Sequence, residues 1–372
     1  MNSNVHPLVA ALVILLSVVA VGVWMWGSGE AARFGGPAEL QTNAAGHLYV
    51  QIQNQLIEHD SNGTYLKTHD LTDLGVDLFL GSFAFFSNGD ILLRRGPDPR
   101  SFIDNVRAFQ RKTNQQSLEP ITPDTGLYRC NLETRTCGLF GKSAIDFKAA
   151  HGIFIDWETD EVYISDTTRQ VLRKYSAGGE ALAEPVGRFR FPNQLLMFND
   201  RLLVADTNHH VIRIVDARSS SFGADLSRKD IVPPKARAAR QTWPSHFARV
   251  GDEWWVNNMR TGMNEGGIYV FDENWIFLRR AALPVNADPI SLIAFGGEVL
   301  VSDWNNDKVH RLSVTGVPLP EFESAGLNSV VAAAQQSRRQ YDVYKYGGIA
   351  LFALVLGGLI VRALAVGMNS HP

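Results

Sequence analysis

Apolar and polar residues alternate along the chain in short runs, and these runs repeat as a unit. Each unit has a β-branched run, a small residue, an aspartate, a polar turn and a second alternating run. Three copies are VYISDTTRQVLRKY (162–175), VADTNHHVIRIVD (204–216) and VLVSDWNNDKVHRLSV (299–314). A fourth copy, EWWVNNMRTGMNEGGIYVFD (253–272), has Asn258 at the aspartate position and a longer turn. Alternation of this kind between turn residues predicts β-strands.

Each unit also has a first strand before its aspartate. These strands are HGIFIDW, PNQLLMF, PSHFARV and PISLIAF, and weaker copies of the unit occupy 82–95 and 38–71. Asp166 and Asp206 are 40 residues apart, and Asn258 and Asp303 are 45 apart, which is the spacing of propeller blades. Six units predict an all-β, six-bladed β-propeller over 37–320, because short strands can bury apolar faces between neighbouring blades.

The recurring acidic position is interpreted as structural. A short carboxylate accepts backbone N–H hydrogen bonds and holds the turn between two strands. We therefore predict structural turn roles for Asp166, Asp206, Asn258 and Asp303. Arginines follow seven or eight residues after the three aspartates, at Arg173, Arg213 and Arg311. His209 and His210 have no counterparts in the other copies, so we interpret them as solvated turn residues instead of metal ligands.

Two of the units resemble NHL repeats. The segments HGIFIDWETDEVYISDTTRQVLRKYSAGG and PNQLLMFNDRLLVADTNHHVIRIVD have the Pro- or His-led first strand, the strand ending in Ser-Asp or Ala-Asp, and the Val-x-Arg strand of that family. The resemblance is good over 150–316 and weaker over 38–140. It implies the propeller fold but no single function, because propellers serve as lyases, lactone hydrolases, receptor modules and scaffolds.

Both ends of the chain are apolar. Residues 8–26 carry no charge and end at two tryptophans, which predicts an uncleaved transmembrane helix. A cleaved signal peptide is the rival interpretation, but its charged n-region is missing. Residues 346–368 predict a second transmembrane helix, with Arg362 near its end. Residues 326–345 have helix-forming composition and predict a juxtamembrane helix that continues into this span. Its glycines Gly348, Gly357 and Gly358 would let another helix approach closely.

The orientation of the propeller is indicated by conflicting signals. Basic residues flank the two spans on the propeller side, at Arg33, Arg338, Arg339 and Lys345. The positive-inside rule would place that side in the cytoplasm, although long domains translocate with little regard to charge. A two-residue turn at Glu133-Thr134 would set Cys130 opposite Cys137 at disulfide distance, and disulfides persist in oxidising compartments. We predict a bacterial-type inner-membrane protein with a periplasmic propeller, and a cytoplasmic propeller is the alternative.

Candidate chemistry would lie on the propeller axis. Aligned on their Asp or Asn, the units place a channel-facing residue before each first strand, at Glu39, Ser82, His151, Asn193, Ser245 and Ile290, with His246 one position on. AHGIFID resembles the Pro-His-Gly-like openings with which peptidyl-hydroxyglycine lyases hold zinc. FPNQLLMF resembles the Pro-Asn opening of lactonase-like propellers, which use a divalent ion.

Neither resemblance brings a full ligand set, since metal binding needs three or four converging donors. His151, His246 and Glu39 are therefore candidate ligands for zinc or calcium, while no cofactor is expected. The alternative is that these polar side chains satisfy the open ends of strands and hold channel water. Five tryptophans are interpreted as core residues: Trp157, Trp254, Trp255, Trp275 and Trp304.

Composition narrows the function classes. A net charge of −3 indicates no nucleic-acid partner. The basic segment at 228–241 is read as a solvated inserted loop, or else as a contact for anionic headgroups. The leading hypothesis is a membrane-tethered binding or scaffold propeller without catalysis, which contacts lipid through its two helices and recognises an envelope protein or peptide through loops 96–125 and 218–243. The alternative is a lyase or lactone hydrolase with an axial metal.

Overall fold

The computed structural model describes residues 7–76, 81–95, 126–141, 151–218 and 220–368. The chain divides into two compact units, one formed by 1–35 with 332–372 and the other by 36–331. The helices of the described residues are α1 (Pro7–Ala31), α2 (Pro234–Ala239) and α3 (Ala325–Met368). The expected recognition loop at 96–125 lies outside the described residues.

The 36–331 unit is a six-bladed β-propeller, as the repeats predict. Blades 1 to 3 comprise β1 (Leu40–Thr42), β2 (Leu48–Ile52), β3 (Gln55–His59), β4 (Tyr65–Asp70), then β5 (Ala84–Phe85), β6 (Ile91–Arg95), β7 (Gly126–Asn131), β8 (Thr136–Leu139), then β9 (His151–Asp156), β10 (Glu161–Asp166) and β11 (Val171–Tyr175). Blades 4 to 6 comprise β12 (Pro192–Phe198), β13 (Arg201–Asp206), β14 (Val211–Asp216), β15 (Asp225–Asp230), then β16 (Trp243–Val250), β17 (Glu253–Met259), β18 (Gly267–Phe271), β19 (Phe277–Arg280), then β20 (Pro289–Phe295), β21 (Glu298–Asp303) and β22 (Lys308–Leu312).

Two blades have fewer than the four strands that are typical of a propeller blade. In the described residues, blades 3 and 6 have three strands each. Isolated bridges from Val186 to Leu172 and from Pro318 to Leu312 mark where the fourth strand would run. Proline lacks the N–H that a ladder needs, and Pro185 and Pro318 interrupt these edges. The basic segment expected as an inserted loop also differs, because it includes part of β15 and all of α2.

Apolar side chains pack between neighbouring blades, because alternate residues of each strand point to opposite sheet faces. Between blades 4 and 5, Leu203 and Ile214 meet Trp254 and Tyr269 in one buried cluster. Trp254 also stacks on Trp275 at 4.7 Å between ring centroids. Similar clusters join blades 1 to 2, 2 to 3, 3 to 4 and 5 to 6. These clusters form the hydrophobic core and hold the first strands around the axis.

Side-chain hydrogen bonds from residues beside the recurring acidic position link blade 3 to 4, blade 4 to 5, blade 5 to 6 and blade 6 to 1. In blade 3, Ser165 Oγ donates to the Asn193 carbonyl at 2.5 Å. In blade 4 the equivalent residue is Ala205, and Thr207 Oγ1 instead donates to the Pro244 carbonyl at 2.6 Å. Two further links are Asn257 Nδ2 to the Pro289 carbonyl, 2.6 Å, and Ser302 Oγ to the Ala38 carbonyl, 2.5 Å. The last of these joins blade 6 to blade 1 and closes the ring.

The cysteine hairpin in blade 2 contains a disulfide. Cys130 and Cys137 are paired in register, with Cα atoms 4.1 Å apart. The turn differs from the predicted two-residue form, since β7 and β8 are joined by the four residues 132–135. Asn131 Oδ1 accepts from the backbone N–H of Glu133 and Thr134 at 3.1 and 2.8 Å, which supports this wider turn.

The unit formed by 1–35 with 332–372 contains two packed helices. Leu8–Ala31 and Ala325–Arg362 are long and apolar enough to cross a membrane. A Cβ added at Gly27 would lie 2.6 Å from Lys345 N, and one at Gly348 would lie 2.6 Å from Trp24 N. The contact moves back along α1 from Gly27 to Trp24 as it moves forward along α3 from Lys345 to Gly348, so the two helices are antiparallel. The juxtamembrane segment, which was predicted to continue into the membrane span, lies with it in a single helix, α3.

Candidate functional site

The first strands of all six blades surround a cavity of about 680 Å³ on the propeller axis. One or more residues of β1, β5, β9, β12, β16 and β20 line it. Much of the wall is apolar, with Phe154, Leu196, Phe198, Ile293 and Ala294 among its residues. Pockets of this size and character are typical of small-ligand sites.

Charged side chains from blades 3 and 4 form one side of the cavity mouth. Arg218 contacts three carboxylates, Asp156 at 2.7 Å, Asp200 at 3.3 Å and Glu158 at 3.6 Å. Burial lowers the pKa of Arg218, but the three carboxylates together outweigh burial and raise the pKa above its usual value. The guanidinium is therefore permanently charged and holds the turns after β9 and β12 together.

Trp157 belongs to the cavity mouth and not to the core. Its side chain is 43% exposed, and its indole N–H donates to the Phe85 carbonyl at 2.8 Å. The prediction of a core role for Trp157 is therefore wrong, while Trp254 and Trp255 are buried as expected. Trp157 follows directly after β9, so it lies at the end of a first strand and beside the cavity opening.

Arg249 lies on another part of the cavity wall, and its guanidinium contacts two aromatic rings and two hydrogen-bond acceptors. Its guanidinium stacks over the Phe198 ring at 4.9 Å and the Trp254 ring at 5.0 Å. It also donates to Asp252 at 3.1 Å and to the Gly251 carbonyl. Its charge is thus matched within its own blade.

Two of the predicted channel residues meet across the axis. His246 Nε2 of blade 5 lies 3.4 Å from Glu39 Oε2 of blade 1. Glu39 also accepts from Gln41 Nε2 at 3.1 Å, whereas the buried His246 Nδ1 has no hydrogen-bond partner among the described residues. The other predicted channel residues do not join this pair in the described structure.

The remaining predicted channel residues have local partners or partial exposure. Asn193 Nδ2 donates to Thr207 Oγ1 at 2.7 Å, and Ser245 Oγ accepts from Asn257 Nδ2 at 3.1 Å. Ser82 and Ile290 are half-buried, Ser82 just before β5 and Ile290 within β20. His151 begins β9 opposite Asp166, and its side chain lies outside the described residues.

The donor set can be compared with the needs of a metal ion. Glu39 and His246 supply two donors, whereas zinc requires three or four and calcium more. No third His, Cys, Asp or Glu converges on them within the described part of the chain. The described side chains therefore do not fit a resident metal, and no reaction step is assigned to one.

The recurring Asp and Asn residues are buried at or next to the ends of the second strands. Asp206 accepts from the Arg190 backbone N–H and from Arg213 Nη2, each at 2.8 Å. Asp166 accepts from the Arg169 backbone N–H at 3.0 Å and contacts Arg173 at 3.3 Å. Asn258 is buried and donates to the Ile231 carbonyl at 2.7 Å.

In blade 6 a histidine occupies the position of the expected arginine. His310 Nε2 lies 2.8 Å from Asp303 Oδ2, and Asp303 also accepts from the backbone N–H of Asp288 and of Asn306. Arg311 instead forms a two-bond ion pair with Glu298, 2.7 Å for each bond. The contact to the acidic position therefore comes from the residue seven positions later in blades 3, 4 and 6.

The two histidines of the blade 4 turn are half-buried and bonded, which corrects their interpretation as solvated residues. His209 Nδ1 lies 2.8 Å from Asp206 Oδ2, and His210 Nδ1 lies 2.7 Å from the Thr242 carbonyl. His210 also packs edge-on against Trp243, with ring centroids 5.1 Å apart. These contacts account for both side chains without a metal.

A second buried polar cluster lies in blade 1. The Glu58 carboxylate accepts hydrogen bonds from Tyr49, His47 and His69, each at 2.8 Å. Burial raises the pKa of Glu58, but the hydrogen bonds from His69, His47 and Tyr49 outweigh burial and lower it to about 2. Burial together with the Glu58 charge raises the pKa of Tyr49. The cluster ties β2, β3 and β4 together, and none of these four residues lines the axial cavity.

Sequence reasoning missed the charged mouth. Asp156 ends the first strand β9, and Glu158 and Asp200 lie two residues after β9 and β12, so acidic residues at matching places in two units were the available signal. Arg218 had no such signal, because its partner Asp156 is 62 residues away.

No protein-family model matches the chain, and no curated protein matches its sequence. Several solved structures are similar to it in backbone fold. Virginiamycin B lyase from Staphylococcus aureus is 12% identical over 78% of this chain and 85% of that chain, with a TM-score of 0.48. A nidogen/laminin complex is 10% identical over 78% and 95%, also at 0.48. A protein of unknown function from Bacteroides caccae is 9% identical over 66% and 81%, at 0.41. These similarities carry no conclusion about function.

Proposed function

We propose that this protein is a membrane-tethered binding module and that the axial cavity receives its ligand. The observation that carries the proposal is the cavity of about 680 Å³, which draws its wall from all six blades. Rigid strands hold such a wall in place, so little ordering cost accompanies binding. The segment 218–243, expected to recognise a partner, supplies Arg218 at the mouth.

We further propose that the units are NHL-type repeats and that the propeller faces the periplasm. The disulfide between Cys130 and Cys137 supports an oxidising compartment. The two apolar helices support contact with membrane lipid. A peptide or other envelope component is the ligand class that such a location makes available.

The proposal is tested by blocking the cavity in the full chain, embedded in lipid nanodiscs. Ala294 is exposed and lines the cavity, so Ala294→Trp should obstruct it and abolish the retention of envelope-extract peptides detected by native mass spectrometry. Ala282→Trp places the same bulk on an exposed position just after β19, outside the cavity lining, and should retain them. Equal retention by wild type and Ala294→Trp would contradict a binding function for the cavity.

A second candidate function is catalysis of lyase or lactone-hydrolase type, favoured by the contact between Glu39 and His246. The two candidates differ in what His246→Gln does. A binding module should keep its peptides in this variant, because His246 does not line the cavity. An enzyme should lose turnover, and accumulation of unconverted ligand only in His246→Gln would favour catalysis.

A further inference from the structure

The charges at the cavity mouth indicate which ligands the cavity would prefer. Asp156, Glu158 and Asp200 face the single guanidinium of Arg218. Three carboxylates against one guanidinium leave a surplus of two negative charges. Arg249, which also lines the cavity, does not offset this surplus because Asp252 matches it.

The surplus charge is accessible to a ligand. The side chains of Glu158 and Asp200 are 81% and 76% exposed, whereas that of Asp156 is 8% exposed. A cation arriving at the mouth could therefore contact Glu158 and Asp200 while Arg218 keeps its shorter bond to Asp156. A second cation beside Arg218 stays partly hydrated, because the two outer carboxylates lie in water, so its desolvation cost is small.

Apolar and aromatic surface begins directly behind these charges. The Trp157 ring stands at the mouth, and Phe154, Leu196 and Ile293 line the interior. Aromatic faces attract cations as well as apolar groups, so Trp157 suits the junction between a charged head and an apolar body. Glu39 lies just before β1 and does not line the cavity.

We propose, on the basis of the proposed binding function, that the cavity selects amphipathic cations. Such a ligand places an ammonium or guanidinium group against the exposed carboxylates of Glu158 and Asp200, beside Arg218, and an aromatic or aliphatic body between the first strands. An anionic ligand of the same shape is repelled at the mouth and excluded.

The test compares three peptides that share one body and differ in charge. The probes are Phe-Leu-amide, which is cationic, N-acetyl-Phe-Leu-amide, which is neutral, and N-acetyl-Phe-Leu, which is anionic. Binding to the full chain in nanodiscs is measured by isothermal titration calorimetry, with empty nanodiscs as the blank. We expect the cationic peptide to bind about tenfold or more tightly than the anionic one, and this ratio to fall as salt is added.

Variants connect the preference to the mouth. Glu158→Gln with Asp200→Asn should reduce the cation-to-anion ratio to near one, and both residues are exposed enough for the fold to tolerate the changes. Glu273→Gln removes an exposed carboxylate away from the cavity lining and should leave the ratio unchanged.

The outcomes separate the two proposals. If the neutral or anionic peptide binds as tightly as the cationic one, and Ala294→Trp abolishes that binding, the cation preference is wrong while the cavity remains a binding site. If none of the three peptides binds, or Ala294→Trp binds them as wild type does, the proposed binding function itself is overturned.

Discussion

At the scale of single residues, buried acids depend on the partners that surround them. Asp206 is fully buried and contacts Arg213, whose side chain is 2% exposed. Arg213 has further contacts to the Arg188 carbonyl at 2.7 Å and to Asp225 at 3.5 Å. Removing one member of such a pair costs more than removing both, because the remaining charge stays buried without its main partner.

We therefore expect Asp206→Ala to lower the free energy of unfolding by about 3–5 kcal/mol. Adding Arg213→Met to Asp206→Ala should recover part of that loss, since the buried guanidinium is gone. Unfolding followed by tryptophan fluorescence gives both values, and Glu273→Ala serves as an exposed control. A double variant less stable than Asp206→Ala would contradict the burial argument. Molecules that remain folded should still bind ligand.

The Glu58 cluster predicts a pH dependence of stability. The pKa of Glu58 falls from 4.5 to about 2 in the fold. A carboxyl with a lowered pKa stabilises the folded state above its unfolded pKa, and this contribution disappears as the pH drops through the folded pKa. The stability difference between wild type and Glu58→Gln should thus be largest above pH 4.5 and shrink toward about pH 2. A difference that stays constant across this range would argue against the hydrogen-bonded carboxylate.

At the scale of elements, the blade 2 hairpin carries a covalent link. Cys130 and Cys137 should resist alkylation in protein isolated from its native membrane until a reductant is added. Changing both to serine should cost about 2 kcal/mol, because the bond closes a short loop. Mass spectrometry of alkylated peptides provides the measurement. Thiols that react without reduction would remove the main support for the periplasmic propeller.

The helix pair offers a matched glycine comparison. An added side chain at Gly348 would collide with the α1 backbone, whereas one at Gly358 meets no atom of the described residues within 4 Å. Cysteines at Trp26 and Tyr344, whose ring centroids are 5.1 Å apart, should be joined between α1 and α3 by a short bifunctional thiol reagent. Gly348→Leu should lower the cross-link yield, measured by mass spectrometry, while Gly358→Leu should not. Equal yields would mean that close approach at Gly348 does not hold the pair together.

At the scale of the whole molecule, ring closure depends on contacts between the first and last blades. Ser302 Oγ donates to the Ala38 carbonyl, and Leu40 N–H donates to Ser291 Oγ at 3.3 Å. Ser302 and Ala38 are 264 residues apart in sequence, so no short connection of the chain joins blades 6 and 1. These side-chain hydrogen bonds hold the two blades together instead.

Ser302→Ala should lower the unfolding free energy by about 1 kcal/mol, the net value of one hydrogen bond. It should also speed amide hydrogen exchange in β1, because local opening begins where the ring is held least firmly. Ser165→Ala removes the equivalent bond between blades 3 and 4 and should not affect exchange in β1. Faster exchange in β1 for both variants would show that closure is not specific to Ser302.

Local patterns were sufficient for much of the architecture. Period-two alternation and the recurring Asp or Asn predicted six blades, and the hairpin predicted the Cys130–Cys137 disulfide. The two apolar segments predicted helices capable of spanning a membrane. Strand periodicity and turn chemistry act over a few residues, so the linear sequence by itself determined these features.

The site was decided by the tertiary structure. Glu39 meets His246, and Arg218 meets Asp156, only because the ring brings distant blades to a common axis. The exposure of Trp157 and the contact of His310 with Asp303 depend equally on strand register and side-chain direction. Convergence across an axis has no local pattern in sequence, since each contributing residue satisfies its own strand or turn whether or not the opposite side chain is present.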